Sequence, residues 1–135
     1  MSSQQQRIDA FLGGRRFAVV GASRDRAKYG NKVLRSYQQA GRDVVAVNPK
    51  EDEVEGVPCY PDLASLPEPV DGVSIITPPK VTEQVVEQAA ELNIANIWMQ
   101  PGAESDESLR LAESHGMNVI GGDACLLVVL GFRED

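Results

Sequence analysis

A chain of 135 residues, 42% hydrophobic and 24% charged, is one globular domain's worth and can bury a core without disulfide or metal staples. Two cysteines and one histidine exclude a disulfide framework and a zinc site of Cys/His spacing. A net charge of −7 argues against general nucleic-acid or acidic-membrane binding, and the longest apolar run, ACLLVVLGF, is far too short to span a bilayer.

In chain order, Ile8, Phe11 and Leu12 lie at helical spacing before Gly13-Gly14, so residues 1–14 hold a short leading helix. This start lacks the apolar core of a signal peptide, and a cytoplasmic protein is expected. FAVVG (17–21) is a buried strand ending in glycine. Val33, Leu34, Tyr37 and Ala40 share a helical face that stops at Gly41. DVVAVNP (43–49) is the second strand, ended by Pro49. Residues 50–71 are acidic and proline-rich and offer at most one helical turn, Asp62 to Ser65. GVSIITPP (72–79) is the third strand. Val81, Val85, Val86, Ala89 and Leu92 mark an amphipathic helix, and NIWMQPG (96–102) is the fourth strand, with Trp98 expected in the core. Ser105 suits the N-cap of a helix with acids in its first turn that closes at Gly116. NVIG is the fifth strand, and the last apolar stretch packs on the end.

Strands alternating with helices, and reading as continuous apolar runs, argue for a parallel sheet covered on both faces. The expected fold is a single α/β domain over 1–135. It is a Rossmann-like, doubly wound sheet of five parallel strands in the order 3-2-1-4-5. Ligands of such sheets bind outside the carboxyl ends of the strands, at the switch point beside strand one. The residues placed there run from Gly21 to Gly30, then Asn48, Pro49 and Lys50. After strand three come Thr77, Pro78 and Pro79, and after strand four Gln100, Pro101 and Gly102. Gly122, Asp123 and Cys125 follow strand five.

Charge is unevenly spread. Residues 1–45 hold nine Lys/Arg against Asp9, Asp25 and Asp43, whereas the remainder holds four basic against seventeen acidic residues. Screening over about 10 Å lets a local basic cluster attract an anion on an acidic molecule. The cluster centres on VVGASRDRAKYGNKV (19–33). There Gly21 allows a tight turn, Gly30 and Asn31 offer helix-start N–H groups, and Ser23, Arg24 and Lys28 add charge-assisted hydrogen bonds. An unliganded basic loop is the plainer alternative. The glycines do not make the G-x-G-x-x-G dinucleotide fingerprint, and strand two ends in Asn48-Pro49-Lys50 with no carboxylate for a ribose diol. A lysine there suits a phosphate on the ribose, as in NADP or coenzyme A.

VVGASRDRAKYGNKV, VVAVNPK, PCYPDLASLPEPVDGVSIITPP, IWMQPG and GGDACLL, in this order, resemble the small stand-alone CoA-binding proteins. More distantly they resemble the N-terminal CoA-binding domain of the succinyl-CoA synthetase α-subunit. The resemblance covers roughly residues 15 to 128 and implies coenzyme A lying across the sheet edge. It would put Gly21, Ala22, Ser23 and Arg24 on the pyrophosphate, with Lys28 near. Asn48, Pro49 and Lys50 would meet the adenosine 3′-phosphate, and Thr77, Pro78 and Pro79 would line the path from adenine to pantetheine. The synthetase's phosphorylated histidine has no counterpart, since His115 closes a helix. Small members often carry Asp-Arg-Cys after strand five, whereas this chain reads Asp123-Ala124-Cys125 and continues with LLVVLGF in place of a charged tail.

Cys125 has two readings: a reactive thiol where a pantetheine chain would end, or a packed structural thiol. Asp123 would hold a ligand hydroxyl or cap a turn, Tyr29 would pack at the mouth of the site or be exposed, and Cys59 reads as a packed loop residue. No acid/base or nucleophile/base pair is identifiable. The expected function is therefore a carrier, sensor or regulatory module for CoA or an acyl-CoA, with a protein partner left open. The alternatives are an NADP-binding oxidoreductase-like domain and an interaction domain with a decayed nucleotide site.

Overall fold

The computed structural model describes residues 3–122 and 124–134. Its elements are α1 (Gln4–Leu12), β1 (Arg16–Val20), α2 (Tyr29–Gln39), β2 (Asp43–Val47), β3 (Glu53–Val54), β4 (Val57–Tyr60), a 3₁₀ turn (Leu63–Ser65), β5 (Gly72–Ile75), α3 (Pro79–Glu91), β6 (Asn96–Met99), α4 (Asp106–Ser114), β7 (Asn118–Ile120) and α5 (Leu126–Val129). The sheet has seven strands in the order β3-β4-β2-β1-β5-β6-β7, all parallel except the β3–β4 hairpin.

The expected five strands are present, but the strand at 72–75 lies on the opposite side of β1 from the place expected for it. The position beside β2 belongs to β4, which pairs Ala46 with Cys59 and Val47 with Tyr60. Pro58 hides this strand in the sequence, because proline cannot donate to a ladder. In the fold it stands one residue before the pairing with β2 begins, opposite Glu53 of β3. Counting β4 as the third parallel strand restores 3-2-1-4-5, with β7 added at the end. Cys59, expected in a loop, is a buried strand residue.

The two faces are packed differently. On one, α1, α2 and α5 cover an aromatic core in which Phe17 stacks on Phe11 and Tyr37 with centroids 5.4 and 5.0 Å apart. Phe11 meets Trp98 edge-on at 5.3 Å, and Trp98 is fully buried, as expected. Offset and edge-on geometries are those favoured by the ring quadrupoles. On the other face, α3 and α4 cover an aliphatic core that includes Val73, Ile75, Val86, Ile97 and Met99. Trp98 Nε1 donates to Ala124 O at 3.1 Å, which ties the segment before α5 to the central sheet.

The chain leaves β1 towards β2 on one side and returns to β5 on the other. The loops after β1 and β5 therefore part above the sheet, and this is the crevice in which doubly wound sheets take ligands. No helix of the described residues is long and apolar enough to cross a membrane.

Candidate functional site

The turn after β1 is fixed by two glycines that touch. Gly21 has φ +96°, and a Cβ there would lie 2.0 Å from Ile76 O. A Cβ on Gly30 would lie 2.0 Å from Gly21 O. The start of α2 can sit directly over the end of β1 only because both side chains are absent. The first intrahelical bond of α2 runs from Lys32 N to Lys28 O, and its N-cap, Lys28, supplies no side-chain cap. The N–H groups of residues 29–31 thus precede the helical ladder, the arrangement that favours an anion.

The basic loop is more neutralised than its composition suggests. Arg26 pairs with Glu55 at 2.7 Å, and Arg24 N donates to Glu51 Oε2 at 3.2 Å. Arg35 is buried, donating from Nε to Asn31 Oδ1 at 2.6 Å and from Nη1 to Glu134 at 3.0 Å. Asn31 Nδ2 in turn donates to Ser23 O at 2.8 Å and Glu55 Oε2 at 3.0 Å. Arg15, Arg16 and Arg42 stand at the amino ends of β1 and β2, on the opposite edge of the sheet, and Arg16 is taken by Asp43 and Glu68. The cationic cluster expected from the sequence therefore shrinks. Among the described residues of this edge, Lys28 and Lys50 are exposed and enter no ion pair, and Arg24 keeps a largely exposed side chain.

A cavity of about 450 Å³ opens beside the ends of β1, β2 and β5. Of the expected residues, Gly21, Asn48, Pro49, Thr77 and Pro78 line it. A second hollow of about 320 Å³ lies on the far side of Thr77 and Pro78, bounded by Pro101, Gly102 and Ala103. The two depressions make a trough along the carboxyl edge with Thr77-Pro78 as the ridge between them. Asn48 organises its rim: Nδ2 donates to Ala22 O at 2.7 Å, and Oδ1 accepts from Lys50 N at 2.8 Å. That closes an Asx turn and joins the loops after β1 and β2. Ala22 is buried, and Pro79 is the exposed first residue of α3.

The rest of the cavity wall was not expected from the sequence, and its polar side chains are Asp62, the N-cap of the 3₁₀ turn, and Gln84 and Gln88 of α3, with Leu63 of the turn beside them. Gln88 Oε1 accepts from Leu63 N at 3.0 Å, fixing the turn on the helix. Their signal in the sequence is a pair of glutamines four residues apart, flanking the Val81–Val85 face. Only the packing of the 50–71 segment shows that this face borders a cavity.

Gln100 and Cys125 meet elsewhere on the edge. Gln100 is 1% exposed; its Oε1 accepts from Leu126 N at 2.9 Å and from Tyr29 Oη at 3.3 Å. Tyr29 Oη lies 2.5 Å from Cys125 Sγ. Burial, reinforced by the Cys125 contact, raises the Tyr29 phenol well above its ordinary range, so it is protonated at neutral pH. Gln100 Nε2 is buried and finds no acceptor among the described residues, an arrangement that costs about 1–3 kcal/mol. Cys59 lies apart: its thiol, raised chiefly by burial, reaches Asn48 O at 3.6 Å. His115 caps the C-terminus of α4 and is exposed. Asp123 lies outside the described residues.

The fold is that of a Rossmann-like α/β domain, and comparison makes the family specific. A family model described as CoA binding domain matches residues 15–131. The chain belongs to that family. It is 32% identical over 114 residues to ADP-forming acetate–CoA ligase I of Archaeoglobus fulgidus, a match that covers 77% of this chain and 17% of the ligase. The chain thus corresponds to a small part of that enzyme's length. The uncharacterized protein YneT of Bacillus subtilis is 30% identical over 114 residues, with 84% of each chain covered. Among solved structures, a conserved hypothetical protein from Pyrococcus furiosus superposes with a TM-score of 0.80 at 43% identity, covering 85% of this chain and 98% of its own.

Proposed function

We propose that this domain binds coenzyme A or an acyl-CoA along the trough and acts as a carrier, sensor or regulatory module. The observation that carries the reading is that the CoA binding domain match, residues 15–131, includes every loop at the carboxyl edge. The chemistry is compatible. The 450 Å³ cavity, with its apolar walls of Val47, Ile76, Val81 and Val85, suits an adenine ring. The N–H groups at the start of α2 suit the pyrophosphate, with Ser23, Arg24 and Lys28 beside them. Lys50, exposed at the end of β2, suits the 3′-phosphate, and the second hollow suits the pantetheine arm.

Thermal unfolding with coenzyme A, acetyl-CoA, NADP, NAD and ATP at fixed salt tests this. At a hundredfold excess over Kd, coenzyme A stabilises by about 2.7 kcal/mol, a rise on the order of 10 °C for a domain of this size. Lys50→Ala and Arg24→Ala each shrink that rise. A rise with NADP and none with coenzyme A would overturn the reading in favour of an oxidoreductase-like domain. A flat response to all five would leave an interaction domain.

A further inference from the structure

We propose that Cys125 exchanges with the disulfide form of coenzyme A, so that the domain keeps one coenzyme A as a mixed disulfide and releases it to a reducing thiol. This rests on the coenzyme A reading above and adds a covalent step to it.

Three side chains converge on the sulfur's surroundings from three elements. Cys125 immediately precedes α5 and is half-buried. Tyr29 opens α2, the helix whose start is offered to the phosphates, and its hydroxyl lies against Sγ. Gln100 follows β6 and links Tyr29 to the first N–H of α5. The independent pointer to a ligand is the amide nitrogen of Gln100. It is buried in this cluster with two hydrogens to donate, and no acceptor meets it among the described residues. A purely structural thiol leaves that donor unexplained. The pantetheine arm carries amide carbonyls that would accept from Gln100, the one unpartnered group of the cluster among the described residues, and a terminal sulfur that would reach Cys125. Pro101, the next residue after Gln100, lines the hollow given above to that arm.

The step is thiol–disulfide exchange, and its co-reactant is the symmetric disulfide of coenzyme A. The Cys125 thiolate attacks one sulfur of that disulfide. A new Sγ–S bond forms, the old S–S bond breaks, and the second coenzyme A leaves as a thiolate that takes a proton from water. One disulfide replaces another, so no net oxidation occurs. The Tyr29 hydroxyl, protonated at neutral pH, serves as a hydrogen-bond donor to the sulfur and transfers no proton. A small thiol that attacks the Cys125 sulfur of the adduct expels coenzyme A as its thiolate, and a second thiol frees Cys125, so that the two small thiols leave as their own disulfide and supply the two electrons.

The test uses the full-length reduced protein, treated in parallel with coenzyme A disulfide and glutathione disulfide and followed by intact mass and peptide mapping. The expected result is a single coenzyme A adduct on Cys125, removed by dithiothreitol, absent in Cys125→Ser and retained in Cys59→Ser. It forms at least about tenfold faster than the glutathione adduct, because the bound disulfide is positioned. Desulfo-coenzyme A, which lacks the sulfur, suppresses it. Modification at Cys59, or equal rates with both disulfides and no suppression, would overturn the proposal. If no adduct forms on Cys125 while coenzyme A still raises the unfolding midpoint, covalent capture falls and reversible binding stands. If neither occurs, both fall.

Discussion

Glu51 stands where an incoming phosphate would seek a donor. Its carboxylate accepts from Arg24 N at 3.2 Å and lies 4.0 Å from the Arg24 guanidinium. A coenzyme pyrophosphate seeking the same N–H competes with it and meets like charge. Removing that charge while keeping the side chain's shape relieves the competition. Glu51→Gln is therefore expected to tighten coenzyme A binding by about fivefold, equivalent to about 1 kcal/mol for an exposed charge contact. Isothermal titration at low and high salt checks it, and the gain shrinks as salt screens the repulsion. Equal or weaker binding by the variant would mean that Glu51 holds the loop in its binding shape. Composition made the loop look strongly cationic because sequence spacing does not show Glu51, Glu55 and Glu134 folding back onto it. The individual positions were nevertheless legible where a strand ends: Gly21, Asn48, Thr77 and Pro78 line the cavity as their places after β1, β2 and β5 imply.

At the level of elements, what the sequence conveys depends on length and period. The helices at 29–39 and 79–91 each repeat an apolar face for about three turns, and the buried central strands are unbroken apolar runs, so both stand out. The β3–β4 hairpin has two and four residues and includes Pro58, too little to show a period. Missing it displaced the third strand in the expected order and hid the wall formed by Asp62 and Gln88. A second contact between elements is equally silent in the sequence. The Asp71 carboxylate, just before β5, accepts from Arg15 N at 2.7 Å and Arg16 N at 3.1 Å and so pins the start of β1. These backbone hydrogen bonds, Arg15's first, lower the Asp71 pKa. A carboxylate whose folded pKa is depressed contributes stability above its unfolded value, about 3.9. That contribution fades as pH falls through the lower folded value. Asp71→Asn keeps an amide oxygen to accept these bonds and removes only the charge of an exposed group, so it is expected to cost well under about 1 kcal/mol at pH 7. The gap to the parent closes as pH falls below about 4, and urea unfolding across that range measures it.

For the molecule as a whole, the candidate phosphate loop and the C-terminal segment are one mechanical unit, joined through Arg35. This guanidinium donates to Asn31 Oδ1, to Arg26 O and to Glu134, and it lies 5.1 Å from the Phe132 ring centroid. Gln39 adds a reciprocal pair, its Nε2 donating to Arg133 O and its Oε1 accepting from Arg133 N. The end of the chain thus braces α2, and α2 positions the loop. The two partners in the ion pair differ in consequence, because the Arg35 side chain is 6% exposed and that of Glu134 is 56% exposed. Glu134→Gln loses a solvent-screened contact and should cost well under about 1 kcal/mol. Arg35→Met leaves Asn31 Oδ1 and Arg26 O without their donor inside the fold. It should cost about 2–3 kcal/mol, lowering the unfolding midpoint by on the order of 10 °C. Limited trypsin digestion then separates local from global loosening. Cleavage after Arg24, Arg26 and Lys28 should accelerate in Arg35→Met well before the rest of the chain is cut, and coenzyme A should slow it. Uniform acceleration at all sites would instead show that Arg35 stabilises the whole fold and does not specifically brace the loop.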